Sequence, residues 1–142
     1  MPSAKIAGAI LFDSSGVRAL MFTVFKDFSF SAAHQIRGHT GGCQNLHGHN
    51  YRVRVFVRSR ELDALGMVID FADLKKIVAE VVDPLDHQYL NDIPPFTERN
   101  TTAELLSQFI FEEIGKRLPQ GRELTRVEIW ETDSSCAVYE AG

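Results

Sequence analysis

Two stretches of alternating side chains constrain the fold more than any other feature of this 142-residue chain. From His47 to Arg60, Tyr51, Val53, Val55 and Val57 alternate with Arg52, Arg54, Phe56 and Arg58. A two-residue period sends neighbouring side chains to opposite faces, so the stretch reads as a strand with one apolar and one cationic face. From Met21 to His34, Phe22, Val24, Phe25, Phe28 and Phe30 give a second strand rich in aromatic and β-branched residues. The glycines of Gly38-His39-Thr40-Gly41-Gly42-Cys43 between them suit a turn or a close approach to the backbone.

The period then changes. Asp70 precedes Phe71, Leu74, Ile77, Val78 and Val81, which share one helical face, with Asp70 as N-cap and Pro84 just past the end. Thr101 to Leu118 predicts a second amphipathic helix. Thr101 and Glu104 are expected to form a capping box, Leu105, Leu106, Phe109, Ile110 and Ile114 the buried stripe, and Pro119 the stop. Leu124 to Glu131 and Cys136 to Glu140 flank the turn signal Asp133-Ser134-Ser135 as a closing hairpin. The order strand, strand, helix, helix, strand, strand lacks βαβ alternation. It predicts an α+β fold, a four-stranded antiparallel sheet with two helices on one face. Pairing of the two sheet edges between subunits would close a larger barrel.

Composition sets the class. At 44% apolar and 24% charged residues, a single globular domain over residues 21 to 142 is expected, and a disordered or collagenous chain is excluded. Residues 1 to 20 read as an N-terminal extension, with a short extra hairpin around Asp13-Ser14-Ser15-Gly16. Two cysteines make no disulfide framework and fit a reducing cytoplasm, and no run reaches the roughly 18 apolar residues of a membrane span. A net charge of −4 argues against nucleic acid. Residues 1 to 60 nevertheless carry 8 basic and 2 acidic groups. Such a bias fits either a small anionic ligand, such as a phosphate chain, or strands with paired surface charges.

The candidate site begins with His47-Gly48-His49. Strand period two puts both imidazoles on one face, and His34, ending the neighbouring strand, comes within reach if the two strands pair. Three neutral imidazoles around Zn²⁺ would leave the fourth tetrahedral position open. Cys43 admits two readings, a fourth ligand closing a structural site, or a free thiol acting as base or nucleophile beside an open one. Asp86 and His87 are either an acid/base pair or a solvated loop pair. Glu131 shares strand parity with Val127 and Ile129, so an apolar face ends in a carboxylate. It suits either bidentate recognition of adjacent N–H groups on a heterocycle or a salt bridge at the sheet rim. Cys136 reads as an ordinary buried small residue, and His39, with no partner in sequence, falls outside the site.

Taken together, Phe28-Ser29-Phe30-Ser31-Ala32-Ala33-His34, Cys43-x-x-x-His47-Gly48-His49-Asn50-Tyr51, Leu85-Asp86-His87-x-x-Leu90-Asn91, Thr102-Ala103-Glu104 and Glu131-Thr132 resemble the 6-pyruvoyltetrahydropterin and 6-carboxytetrahydropterin synthase family. The resemblance runs from about Met21 to Tyr139, and Met21 resembles the usual family start. It implies the tunnelling fold, with four-stranded sheets joined between subunits into a barrel and a homo-oligomer, a hexamer of two stacked trimers. It further implies Zn²⁺ on His34, His47 and His49, Cys43 as proton-abstracting base, Asp86 and His87 supplied by an adjacent subunit, and Glu131 and Thr102 as pterin contacts. Thr101 stands where the family has Pro. The three-residue gap between Cys43 and His47 resembles the carboxy-forming branch. That branch converts 7,8-dihydroneopterin triphosphate to 6-carboxytetrahydropterin, acetaldehyde and triphosphate in queuosine and deazapurine biosynthesis. A pyruvoyl-forming activity, or a related pterin aldolase, and a non-enzymatic structural zinc domain are the alternatives.

Overall fold

In the computed structural model, which describes residues 20–142, the two alternating stretches become the longest strands, β1 (Phe22–His34) and β2 (His47–Ser59). They pair antiparallel without interruption from Phe22↔Ser59 to His34↔His47. Helix α1 (Phe71–Val82) follows, then a two-residue strand β3 (Gln88–Tyr89), helix α2 (Ala103–Gly115), and the hairpin of β4 (Glu123–Thr132) and β5 (Ser135–Glu140). The sheet order is β3-β1-β2-β4-β5. The four long strands are antiparallel as expected. The brief β3 adds a parallel edge beside Ala32 and Ala33, too short to leave a periodic signal in the sequence. The hairpin expected around Asp13 lies outside the described residues.

One sheet face is the core. Tyr51, Val53, Val55 and Val57 of β2 are fully buried against Leu74 and Val78 of α1 and Leu106, Ile110 and Ile114 of α2. The opposite face carries the arginines, two of them in charge pairs. Arg54 makes a bidentate bond to Asp27, Arg58 another to Glu123, and the Arg52 guanidinium lies 4.5 Å from the centre of the Trp130 ring. Paired strand charges thus account for Arg54 and Arg58 of the cationic first half, while Arg52 rests on an aromatic ring.

Asp70 caps α1 as expected, accepting from Ala72 N at 2.7 Å. The cap of α2 is a correction. Thr102, not Thr101, is the N-cap, its hydroxyl accepting from Leu105 N, so Glu104 falls in the first turn and closes no capping box. Thr101 is buried and bonded elsewhere. In β4, Leu124 and Val127 are both buried although three residues apart. A bulge at Thr125 reconciles them by resetting the strand's facing. A second irregularity lies at Glu131, between the pairs Trp130↔Cys136 and Thr132↔Ser135. Among the described residues no helix is long and apolar enough to cross a membrane.

Candidate active site

The β1–β2 register sets His34 opposite His47 and Ala32 opposite His49. With side chains alternating along each strand, all three imidazoles emerge on the helix-covered face at one end of the sheet. Their ring centres lie 4.5, 5.0 and 4.9 Å apart, and one nitrogen from each falls within 4.8 Å of the others.

Hydrogen bonds orient two of the rings. His34 Nδ1 lies 2.8 Å from the Thr101 carbonyl and His47 Nδ1 lies 2.7 Å from the Asn45 carbonyl. A carbonyl only accepts, so each Nδ1 carries the proton and each Nε2 presents a lone pair. Burial, the largest cause, pushes both His34 and His49 below their ordinary value of 6.5. Glu131 opposes this shift at both rings without reversing it. His34 Nε2 and His49 Nε2 are buried with no hydrogen-bond partner among the described residues. Buried polar atoms are rarely left orphaned, and neutral imidazoles with converging free nitrogens are what a divalent metal requires. The three histidines therefore fit a metal ion.

A cavity of about 430 Å³ opens above the imidazoles, and Cys43, Thr102, Glu104 and Glu131 also line it. Cys43 sits on a 3-10 turn (Gly42–Gln44), exposed, and is not among the clustered metal-binding side chains. Glu131 is half-buried, and its Oε1 stands 3.9 Å from His34 Nε2. With His34 held neutral, that contact is no ion pair. Thr102 reaches the cavity from the N-terminus of α2.

Asp86 and His87 lie apart from this cavity. They follow a 3-10 turn (Asp83–Leu85) at the β3 edge, where His87 borders a separate depression with Ser31, Asn50 and Tyr89, joined to the first cavity only through His49. The pair is nonetheless built. Asp86 Oδ1 accepts from Ser31 N at 2.8 Å, Oδ2 is 2.9 Å from His87 Nδ1, and His87 N donates to Ser31 O. His87 has a φ of +57°, uncommon for a non-glycine residue, and its ring is 80% exposed. The two side chains are in contact yet 80% and 40% exposed, so the acid/base pair and the solvated loop pair both stay open, and neither group meets the imidazoles within one chain.

Three residues of the site were not assigned to it from sequence. Glu104, expected as a capping partner, lines the cavity instead, and so does His39, whose Nδ1 accepts from Gly41 N. Tyr51 is fully buried beneath His34 and His49, its hydroxyl unpartnered. Its parity with His47 and His49 was the available signal. Cys136 is a correction. It is exposed rather than buried and borders the cavity, on a strand, β5, that is a sheet edge among the described residues.

A mostly antiparallel sheet with two helices on one face, and a trio of imidazoles beside a cavity lined by carboxylates and a thiol, defines an α+β protein with a pocket whose histidines could hold a metal ion. The family model described as 6-pyruvoyl tetrahydropterin synthase matches residues 23–142, and the chain belongs to that family. It is 36% identical to the 6-carboxy-5,6,7,8-tetrahydropterin synthase of Haemophilus influenzae, over 84% of this chain and 99% of that one. It is 40% identical to the protein of the same name from Synechocystis, over 84% and 93%. The human 6-pyruvoyl tetrahydrobiopterin synthase is 37% identical over 88% and 95%. Among solved structures, the Caenorhabditis elegans 6-pyruvoyl tetrahydropterin synthase superposes with a TM-score of 0.77 at 33% identity, over 88% of this chain and 99% of that one.

Proposed function

We propose that this chain is a zinc-dependent 6-carboxytetrahydropterin synthase acting on 7,8-dihydroneopterin triphosphate. The observation that carries the reading is the convergence of three imidazoles beside a cavity that also holds a thiol and two carboxylates. Relatives named for the carboxy product and for the pyruvoyl product are similarly identical to this chain, so identity does not separate them. The short Cys43 to His47 connection, which resembles the carboxy-forming branch, favours the former.

Each residue has a role suited to its position. His34, His47 and His49 would hold zinc through their converging nitrogens, and the ion would supply Lewis-acid chemistry at the substrate's side-chain hydroxyls. Glu131 offers two oxygens to adjacent N–H groups of the pterin ring, a charge-assisted bidentate pair that fixes the ring's orientation. Thr102 borders the same cavity and contacts the ring's edge. Cys43, exposed at the cavity wall, takes a proton from the substrate side chain. Asp86 and His87 move protons during triphosphate loss and carbon–carbon cleavage. Because neither lines its own chain's cavity, a second copy supplies them. Among the described residues, β1 has no strand on its outer side from Phe22 to Ser31, and β5 is the opposite edge. Edge-to-edge pairing in a homo-oligomer, two stacked trimers in the family pattern, removes both free edges and brings His87 toward a neighbour's site.

Mass spectrometry of the zinc-loaded protein's products from 7,8-dihydroneopterin triphosphate tests the assignment. Acetaldehyde with 6-carboxytetrahydropterin is expected, whereas an intact three-carbon side chain makes the chain a pyruvoyl-forming enzyme. Cys43→Ala should slow turnover by about 10²- to 10⁴-fold with zinc retained. Loss of zinc in that variant, with no turnover by the unaltered protein, would make the site a closed structural one.

A further inference from the structure

The backbone ladder on the outer side of β1 stops just before the first imidazole. Strand β3 pairs only Ala32 with Gln88 and Ala33 with Tyr89, and the chain then turns into a 3-10 turn (Leu90–Asp92). Gln35, the residue after His34, is left without a strand on that side. The Asn91 side chain takes the missing place. Its Oδ1 accepts from Gln35 N at 3.0 Å and its Nδ2 donates to Gln35 O at 2.9 Å. A carboxamide has the donor and acceptor of a peptide group, so Asn91 extends the ladder with a side chain where the backbone has turned away.

The same cluster reaches the His34 ring. Thr101 Oγ1 donates to Gln35 O at 3.1 Å and lies 3.4 Å from Asn91 Oδ1, while the Thr101 carbonyl accepts the His34 Nδ1 proton. Asn91, Thr101 and His34 are 4%, 0% and 1% exposed, so water does not compete for these bonds. The Gln35 side chain accepts from Tyr89 Oη at 2.6 Å and donates to Gln44 O, in the turn that carries Cys43. His34 is thereby held from both ends, by its backbone through Gln35 and by its ring through Thr101.

We propose that Asn91 is a positioning residue for the His34 imidazole, acting through Gln35 and Thr101 to keep Nε2 aimed at the point where the three histidines converge. The proposal rests on the reading of those histidines as a metal centre. Removing the carboxamide frees the Gln35 backbone and, with it, the Thr101 carbonyl that selects the Nδ1–H tautomer. Residues that orient a metal ligand from behind affect the metal without touching it.

Two measurements on full-length Asn91→Leu test this. In metal-free protein at about pH 8, where imidazoles are neutral, long-range ¹⁵N–¹H NMR spectra report the tautomer of His34. Nearly pure Nδ1–H is expected in the unaltered chain and a mixture in the variant. In competition with a chromophoric chelator, the variant should bind zinc about 10- to 100-fold more weakly, with an altered Co²⁺ absorption spectrum. Asn91→Asp, which keeps the acceptor for Gln35 N and loses the donor, should fall between the two and serves if the leucine variant does not fold. Ser107→Ala removes a hydrogen bond to the Glu104 carbonyl that involves neither Gln35, Thr101 nor His34, and should lower thermal stability while leaving tautomer and affinity alone. Asn91 variants that lose stability but keep both the tautomer and the Co²⁺ spectrum would reduce the residue to a structural part and overturn the proposal. Absence of zinc binding in the unaltered chain would overturn the metal reading instead, and the tautomer result would still decide the role of Asn91.

Discussion

His34 Nε2 and Glu131 Oε1 stand 3.9 Å apart at the wall of the cavity, the imidazole buried and the carboxylate a quarter exposed. The separation is too long for a hydrogen bond, so the two groups share the cavity without satisfying each other. The nitrogen is free for a metal and the carboxylate for a ligand. On the proposed division of labour, Glu131→Gln keeps zinc and raises KM for the pterin by about 10- to 100-fold, the effect of losing a charged hydrogen bond worth about 1.5–3 kcal/mol. Steady-state kinetics with metal analysis checks this, and loss of zinc would make Glu131 a ligand.

His34→Gln should weaken zinc binding beyond the roughly 10- to 100-fold typical of a supporting residue, since it removes one of three direct ligands. Competition with a chelator gives the affinity, and circular dichroism of the metal-free protein shows whether the fold survives. Unchanged affinity in a folded variant would place the metal elsewhere.

Tyr51→Phe separates stability from function. The Tyr51 ring stacks on Phe30 at 4.8 Å, contributing to the core, while its hydroxyl is buried with no partner among the described residues. Burial, and after it the negative charge of Glu131, pushes the phenol's pKa upward, so the group stays a neutral hydroxyl. Deleting an unsatisfied buried hydroxyl should stabilise the metal-free protein by about 1 kcal/mol in urea unfolding. A loss of stability would show that the hydroxyl is bonded in solution.

Asp86 should titrate below the usual aspartate value. The Ser31 N–H, and after it the His87 ring, holds its carboxyl under 3.8. Because the folded value is depressed, the stabilisation is fully present above pH 3.8 and is lost as pH falls through the folded value. The Ser31 amide resonance should follow that transition, and Asp86→Asn should abolish it. A midpoint at or above 3.8 would mean that the carboxylate is not clamped.

What could be read from sequence was whatever local periodicity controls. The alternation of His47, His49, Tyr51 and Val53 put the imidazoles on the buried face of one strand, and pairing with β1 then required His34 nearby. Misreadings arose where neighbouring residues offer the same local chemistry. Thr101 and Thr102 are equally good caps in isolation, and Thr102 has the task because Thr101 is bonded to His34 and Gln35, far away in sequence. The Thr125 bulge and the exposure of Cys136 depend on which strand lies alongside β4 and β5, which no short window contains.

By itself, then, the sequence determined the elements, the faces they bury and the three imidazoles, because strand and helix periods are properties of the local backbone. Tertiary structure alone decided which Nε2 atoms are left free and that Asn91 completes the ladder beside His34. Those outcomes depend on hydrogen bonds between residues as much as 67 positions apart, formed only once the sheet and the helices have packed.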